Sequence, residues 1–174
     1  MTNILRLLVI LCGICLGGAA QAQIVWSMSA VGCVVTDVAI RADRYRTNLG
    51  SVQHAATKVG PITMNCPVTL FDTQGMTEWQ VGLNARDSTG TDPAATVRAR
   101  LYMIAYNGTE PTVLAAVHSD VNPNVTTDTV RSSSVFIHTF DFGVATYWIR
   151  VDLDRDAADQ IVKVNTVHIR VGPQ

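Results

Sequence analysis

The sequence is short of charge, of aromatic rings and of the residue spacings that chemistry requires. Charged residues are 16% of the 174 and the formal net charge is −1, which gives no basis for nucleic-acid binding, normally marked by a net or clustered positive charge. Arg41, Arg44 and Arg46 do cluster, but Asp43 sits among them and Tyr45 is their one aromatic neighbour, so a solvated loop is expected. Cys33 and Cys66 stand isolated, with no CxxC and no paired-histidine spacing about them, which makes them poor zinc ligands. His54, His118, His138 and His168 each stand alone on their segments. Serine-nucleophile, zinc-protease and cysteine-protease signatures are missing, and no segment carries an apolar stripe at helical spacing. Apolar residues are plentiful at 48%, which argues against disorder.

One uncharged apolar run stands out. Arg6 is followed by residues 7–16, built of Leu, Val, Ile, Cys and Gly, then by Gly17-Gly18-Ala19-Ala20 and the small-x-small triplet Ala20-Gln21-Ala22. A short positive region, an apolar stretch and such a triplet define a cleavable secretory signal peptide. The run is too short for a membrane anchor, which wants roughly 20 apolar residues. Residues 1–22 are therefore expected to be removed, leaving a single domain over residues 23–174 that is secreted or periplasmic, with no membrane span after cleavage. Losing Arg6 takes the formal charge from −1 to −2.

Cleavage also removes Cys12 and Cys15. Cys33 and Cys66 remain, an even pair in an oxidising compartment, so a disulfide is expected. Closing a loop of that length stabilises a fold by about 3–4 kcal/mol in the chain-entropy model.

Period-2 alternation dominates the mature chain. Trp79, Val81, Leu83 and Ala85 share one parity against Glu78, Gln80, Asn84 and Arg86, the pattern of a half-buried strand. Val97, Ala99, Leu101, Met103 and Ala105 form a second inward face, and Asn107-Gly108 turns the chain into a partner strand over residues 112–118. Residues 119–134 read as a polar crossing between sheets. Residues 135–142 and 146–154 read as a second hairpin about Gly143, with Tyr147, Ile149, Val151 and Leu153 inward. The last strand changes phase, Val162 and Val164 against Val167, Ile169 and Val171, which predicts a bulge near Asn165-Thr166. Toward the N-terminus, residues 23–30 and 59–66 read as strands, with Pro61 placing the second at an edge or starting it late. Short strands are expected near Ile40 and Val52. The fold class is all-β: an antiparallel β-sandwich of about eight strands, with the jelly-roll as candidate topology.

Several patterns imitate chemistry. Val38-Ala39-Ile40-Arg41 and Asp141-Phe142-Gly143 look like kinase fragments, but Arg41 replaces the lysine, and no phosphate loop or catalytic loop accompanies them. Asp152, Asp154, Asp156 and Asp159 form an oxygen-rich hairpin end that would suit calcium. As an EF-hand loop it fails, with Ala157 at the glycine position and Lys163 at the glutamate position. Arg150 and Arg155 offer countercharge, so a solvated hairpin end is the plainer expectation, and no cofactor other than calcium is in view. The two acids of a glycosidase need no fixed spacing, so that chemistry stays open. Trp148 lies on the polar parity with Arg150 and Asp152, and Tyr102 and Tyr106 lie on theirs with Arg98 and Arg100. An aromatic flanked by hydrogen-bonding groups is what a sugar-binding face requires. Strands covered on both sides would give the same pattern. Asn107-Gly108-Thr109 and Asn124-Val125-Thr126 match glycosylation sequons, as expected by chance in so threonine-rich a chain.

Cys33, Ile40 with Asp43-Arg44-Tyr45, Gly50-Ser51-Val52, Gly60-x-Ile62 and Asn65-Cys66-Pro67-Val68 together resemble uncharacterised, small exported β-sandwich proteins of Gram-negative bacteria. The resemblance extends over residues 79–87 and 147–154 and brings no catalytic residues. In outline the chain also resembles a fimbrial subunit, which is exported and carries one early disulfide in a sandwich completed by a partner's strand. It departs from that family in ending Ile169-Arg170-Val171-Gly172-Pro173-Gln174, without a near-terminal aromatic. The expected function is non-enzymatic binding or assembly at the envelope or outside the cell, with a protein or glycan partner. A carbohydrate- or calcium-assisted binding module and a fimbria-like structural subunit are the alternatives.

Overall fold

The computed structural model describes residues 23–36, 43–69, 71–73, 75–121 and 127–172. The expected signal peptide with Cys12 and Cys15, the strand expected at Ile40, Arg41, Asn122-Pro123 and the sequon at Asn124 lie outside the described residues. Among the described residues there are twelve strands and no α-helix: β1 (Ile24–Ser29), β2 (Val34–Val35), β3 (Tyr45–Asn48), β4 (Ser51–His54), β5 (Ile62–Val68), β6 (Glu78–Asp87), β7 (Ala95–Ala105), β8 (Thr112–His118), β9 (Thr129–Ser132), β10 (Phe136–Ile137), β11 (Ala145–Arg155) and β12 (Val162–Val171). No helix there is long and apolar enough to cross a membrane.

The strands form two packed antiparallel sheets. One has the order β2-β5-β11-β7-β8; the other runs β10-β6-β12-β4-β3, with β1 also on β12 and β9 also on β6. The pairs are nested: β7 with β8, β6 with β9 and β10, β5 with β11, β4 with β12. Successive pairs alternate between the sheets, which is the winding of a jelly-roll.

Alternation along the strands fills the space between the sheets. Trp79, Val81, Leu83 and Ala85 of β6, Val97, Ala99 and Leu101 of β7, and Ile149, Val151 and Leu153 of β11 are all fully buried. Each large aliphatic side chain so placed contributes about 1.5–3 kcal/mol. The register of β12 on β6 shifts between Val164 and Thr166, so the bulge expected there re-phases Val167, Ile169 and Val171 into the core. Cys33 and Cys66 are joined, with Cα atoms 4.3 Å apart, tying the start of β2 to β5. Pro61 delays β5, which begins at Ile62 and lies inside its sheet, between β2 and β11.

Two expectations need correction. Residues 135–142 do not form a hairpin with residues 146–154, because β10 is two residues long and pairs with β6 in the other sheet. The aromatic alternation there serves packing: Phe140 stands edge-on to Trp79 at 5.3 Å and 4.9 Å from Tyr147, with Phe71 and Phe142 alongside. His138 belongs to this plug, with Nε2 3.1 Å from the Tyr147 hydroxyl. The polar crossing after β8 does pass from one sheet to the other, but it also contributes β9.

Candidate functional site

The inward faces of β11 and β7 build the core, so the opposite parity of these two neighbours builds a surface. Their register is unbroken and sets Trp148 beside Tyr102, Arg150 beside Arg100, Asp152 beside Arg98, and Asp154 beside Thr96. On the other flank of β11, β5 places Pro67, Asn65 and Thr63 against Trp148, Arg150 and Asp152. On the other flank of β7, β8 places Val113, Ala116 and His118 against Tyr102, Arg100 and Arg98. The outer face of the five-stranded sheet is thus a set of rows, aromatic at one end and charged at the other.

Trp148 and Tyr102 stack on each other, ring centroids 5.3 Å apart and planes within 10°. Each ring gives one face to its neighbour, and both side chains are half-buried. Such a cross-strand pair contributes roughly 0.2–1 kcal/mol to the sheet. In the next rows Asp152 organises two guanidiniums. Its Oδ1 accepts from Thr63 Oγ1 at 2.8 Å and from Arg150 Nε at 3.0 Å, and its Oδ2 lies 3.5 Å from Arg100 Nη1. The Arg98 side chain makes no hydrogen bond or ion pair among the described residues, and Asn65 Oδ1 is buried without a partner among them. Arg98, Arg100, Arg150, Asp152, Asp154, Thr63, Thr96 and Pro61 line a shallow groove of about 310 Å³.

The structure brings Trp148, Tyr102 and Arg150 together, as three of the four expected ligand-binding residues. Tyr106 departs from them. It sits in the turn after β7 and its hydroxyl donates to the Phe142 carbonyl at 2.8 Å. Of the four aspartates considered for calcium, Asp152 and Asp154 face the groove, while Asp156 and Asp159 lie exposed in the turn beyond β11. They do not converge: among the described residues no three His, Cys, Asp or Glu side chains form a group able to hold a metal ion. Arg155, one of the expected countercharges, turns inward. Arg98 and Arg100 carried a signal, since they share the parity of Tyr102. Thr63 and Asn65 come from a strand more than 80 residues away in sequence and are placed only by register.

The other buried polar groups hold loops. The Arg155 guanidinium, 4% exposed, donates to the carbonyls of Lys58, Ala158, Gln160, Ala55 and Ala56, so all five N–H groups are used. Asp87, on the inward parity of β6, accepts from Ser119 Oγ at 2.5 Å and from the Thr89 amide and hydroxyl. Ser119 Oγ in turn accepts from the Val97 amide. Both side chains are fully buried. His54 lies buried with Nε2 2.7 Å from the Gly60 carbonyl, and burial pulls its pKa below the ordinary histidine value.

No family model matches this chain, and no curated protein matches it. Among solved structures the chain is similar to PfGH50B, at 12% identity and TM-score 0.42, over 86% of this chain and 23% of that one. It is similar to a family two carbohydrate esterase from Cellvibrio japonicus, at 13% identity and TM-score 0.34, over 84% and 33% of the two chains. It is also similar to the infectious bursal disease virus VP2 subviral particle, at 13% identity and TM-score 0.37, over 89% and 34%. The chain spans about a quarter to a third of the length of each.

Proposed function

We propose that the chain is exported and that residues 23–174 form a non-enzymatic binding module whose ligand is a glycan, held on the outer face of the five-stranded sheet. The observation that carries this reading is the Trp148–Tyr102 stack running directly into the Arg150–Arg100 row. The C–H face of a sugar ring packs against an aromatic face, as an apolar body does, while its hydroxyls need planar donors and acceptors beside that contact. Guanidinium, carboxylate and amide groups stand one row away, and the groove volume is at the lower end of the range for small-ligand sites. The test is retention of the mature protein on a panel of immobilised polysaccharides, with Trp148→Ala and Tyr102→Ala alongside. Retention that falls at least tenfold in both variants supports the reading; a blank panel, or retention untouched by Trp148→Ala, overturns it.

A second reading, strand-addition assembly of the fimbria-like kind, is favoured by one observation. β8 ends its sheet with seven residues, Thr-Val-Leu-Ala-Ala-Val-His, that contain no proline, lysine or acid, the guards that edge strands usually carry. Sedimentation of the mature protein as a monomer at all concentrations would reject it.

A further inference from the structure

Resting on the glycan reading above, we propose that the ligand is an acidic glycan, its uronate carboxylate seated between Arg98 and the Arg100–Arg150 row while a sugar ring rests on the Trp148–Tyr102 pair. Three guanidiniums face this groove against two carboxylates, Asp152 and Asp154. His118 and Asp120, 3.8 Å apart at the β8 border, do not line it. The excess is positive in a mature chain whose formal charge is negative, so the bias belongs to the groove and not to the protein at large.

The arginines are also held ready. Asp152 accepts from Arg150 Nε and lies 3.5 Å from Arg100 Nη1, which orients Arg150 and leaves its terminal donors for a ligand. Arg98, directly across from Asp152 on β7, makes no such contact. Planar, paired N–H donors are what a carboxylate accepts best, in bidentate form. The aromatic and arginine rows are two residues apart along the strand, about 6.8 Å, so a ring on the first brings its own substituents, or those of the next ring, over the second.

The experiment measures the mature protein against polygalacturonate and against the same polymer with its carboxyl groups reduced. Binding to the acidic polymer at least tenfold tighter is expected, weakening as salt rises. Arg98→Gln should weaken binding to polygalacturonate about tenfold, and Lys163→Gln, which removes the same charge from the other sheet, should leave it unchanged. Equal affinity for the two polymers overturns the acidic ligand while the glycan reading stands. Binding to neither of them, nor to any polysaccharide of the panel, overturns both. An equal loss in Lys163→Gln and Arg98→Gln overturns the groove as the source of the preference, since net charge would then account for it.

Discussion

The two outer faces of the sandwich are built from strands that alternate in the same way, yet they use their polar groups differently. On the seven-stranded sheet, Arg170 Nε donates to Gln80 Oε1, and Gln80 Nε2 donates to the Ser133 carbonyl. Lys163 pairs with Asp128 at 2.8 Å, and Asn165 donates to the same carboxylate. His168, paired in register with Gly82, lays its ring over that glycine so closely that a Cβ built there would lie 1.9 Å from Nε2. The histidine is 5% exposed on what is nominally the outer side. Arg86 Nε is left as a buried group without a partner among the described residues. On the five-stranded sheet, Asp152 serves two arginines at once, Arg98 serves nothing, and the aromatic pair is half-buried. Arg86 Nε apart, the first face is closed by its own side chains, whereas the second keeps the Arg98 guanidinium to spare. Polar alternation marks a face as outward without saying whether it is finished.

The largest effect should come from moving one substitution along a single strand. Arg155→Met leaves five loop carbonyls without their donor and is expected to cost about 3 kcal/mol or more, since buried unsatisfied groups bear their full desolvation penalty. Arg150→Met, on the open face of the same strand, should cost under about 1 kcal/mol. Urea unfolding of the two variants measures the difference; equal losses would erase the contrast between a polar group buried among its partners and one on the open face.

Gly82→Ala comes next. The added methyl must displace the buried His168 ring, and overpacking of this kind costs about 1–3 kcal/mol. His168→Ala in the same background should restore most of that loss, and a double variant no more stable than Gly82→Ala alone would show that the ring is not what the methyl meets.

The closed regions should also respond to acid. Burial holds His168, His138 and His54 below the ordinary value of 6.5, so the unfolded chain binds protons that the folded chain refuses. Stability is fully present above pH 6.5 and is lost as pH falls from there toward the folded-state values. Denaturant midpoints taken between pH 8 and 5 check the sign, and His168→Gln should flatten part of the slope. A midpoint that rose on acidification would contradict the burial of all three rings.

The smallest stability change and the largest functional one should coincide on the open face. Trp148→Ala removes one ring of the stack and should cost only about 0.5–1 kcal/mol, while lowering glycan retention at least tenfold. A large loss of stability would make the stack a structural device first.

Much of the fold was legible because burial between two sheets imposes a period of two. The inward sets of β6, β7 and β11, the β7–β8 hairpin with its Asn107-Gly108 turn, and the bulge between Val164 and Thr166 all follow from that period and from turn chemistry. Alternation alone ends the inward runs at Ala85 and Leu153, because a charge has no place in a core until its partners are known. Asp87 and Arg155 continue those runs, and their partners arrive from loops up to 100 residues away. The false hairpin around Gly143 arose the same way. Phe136, His138, Phe140 and Phe142 alternate as a strand would, but contact with Trp79, Phe71 and Tyr147 turns them into a plug between the sheets. The candidate site was legible in part: Trp148, Arg150 and Tyr102 stand on outward parity, whereas Asn65 and Thr63 join them only through the β5–β11 register.

By itself, the sequence determined which side of each long strand faces the core and that one cysteine pair remained after an expected leader, since both are local matters of period and count. Only the tertiary structure decided that Trp148 stacks on Tyr102, that Asp152 holds two arginines, that Tyr106 and Asp159 stand apart, and that Gly82 makes room for His168. Those facts depend on which strands are neighbours and in what register, and a nested winding of pairs brings together residues whose separation along the chain carries no trace of the contact.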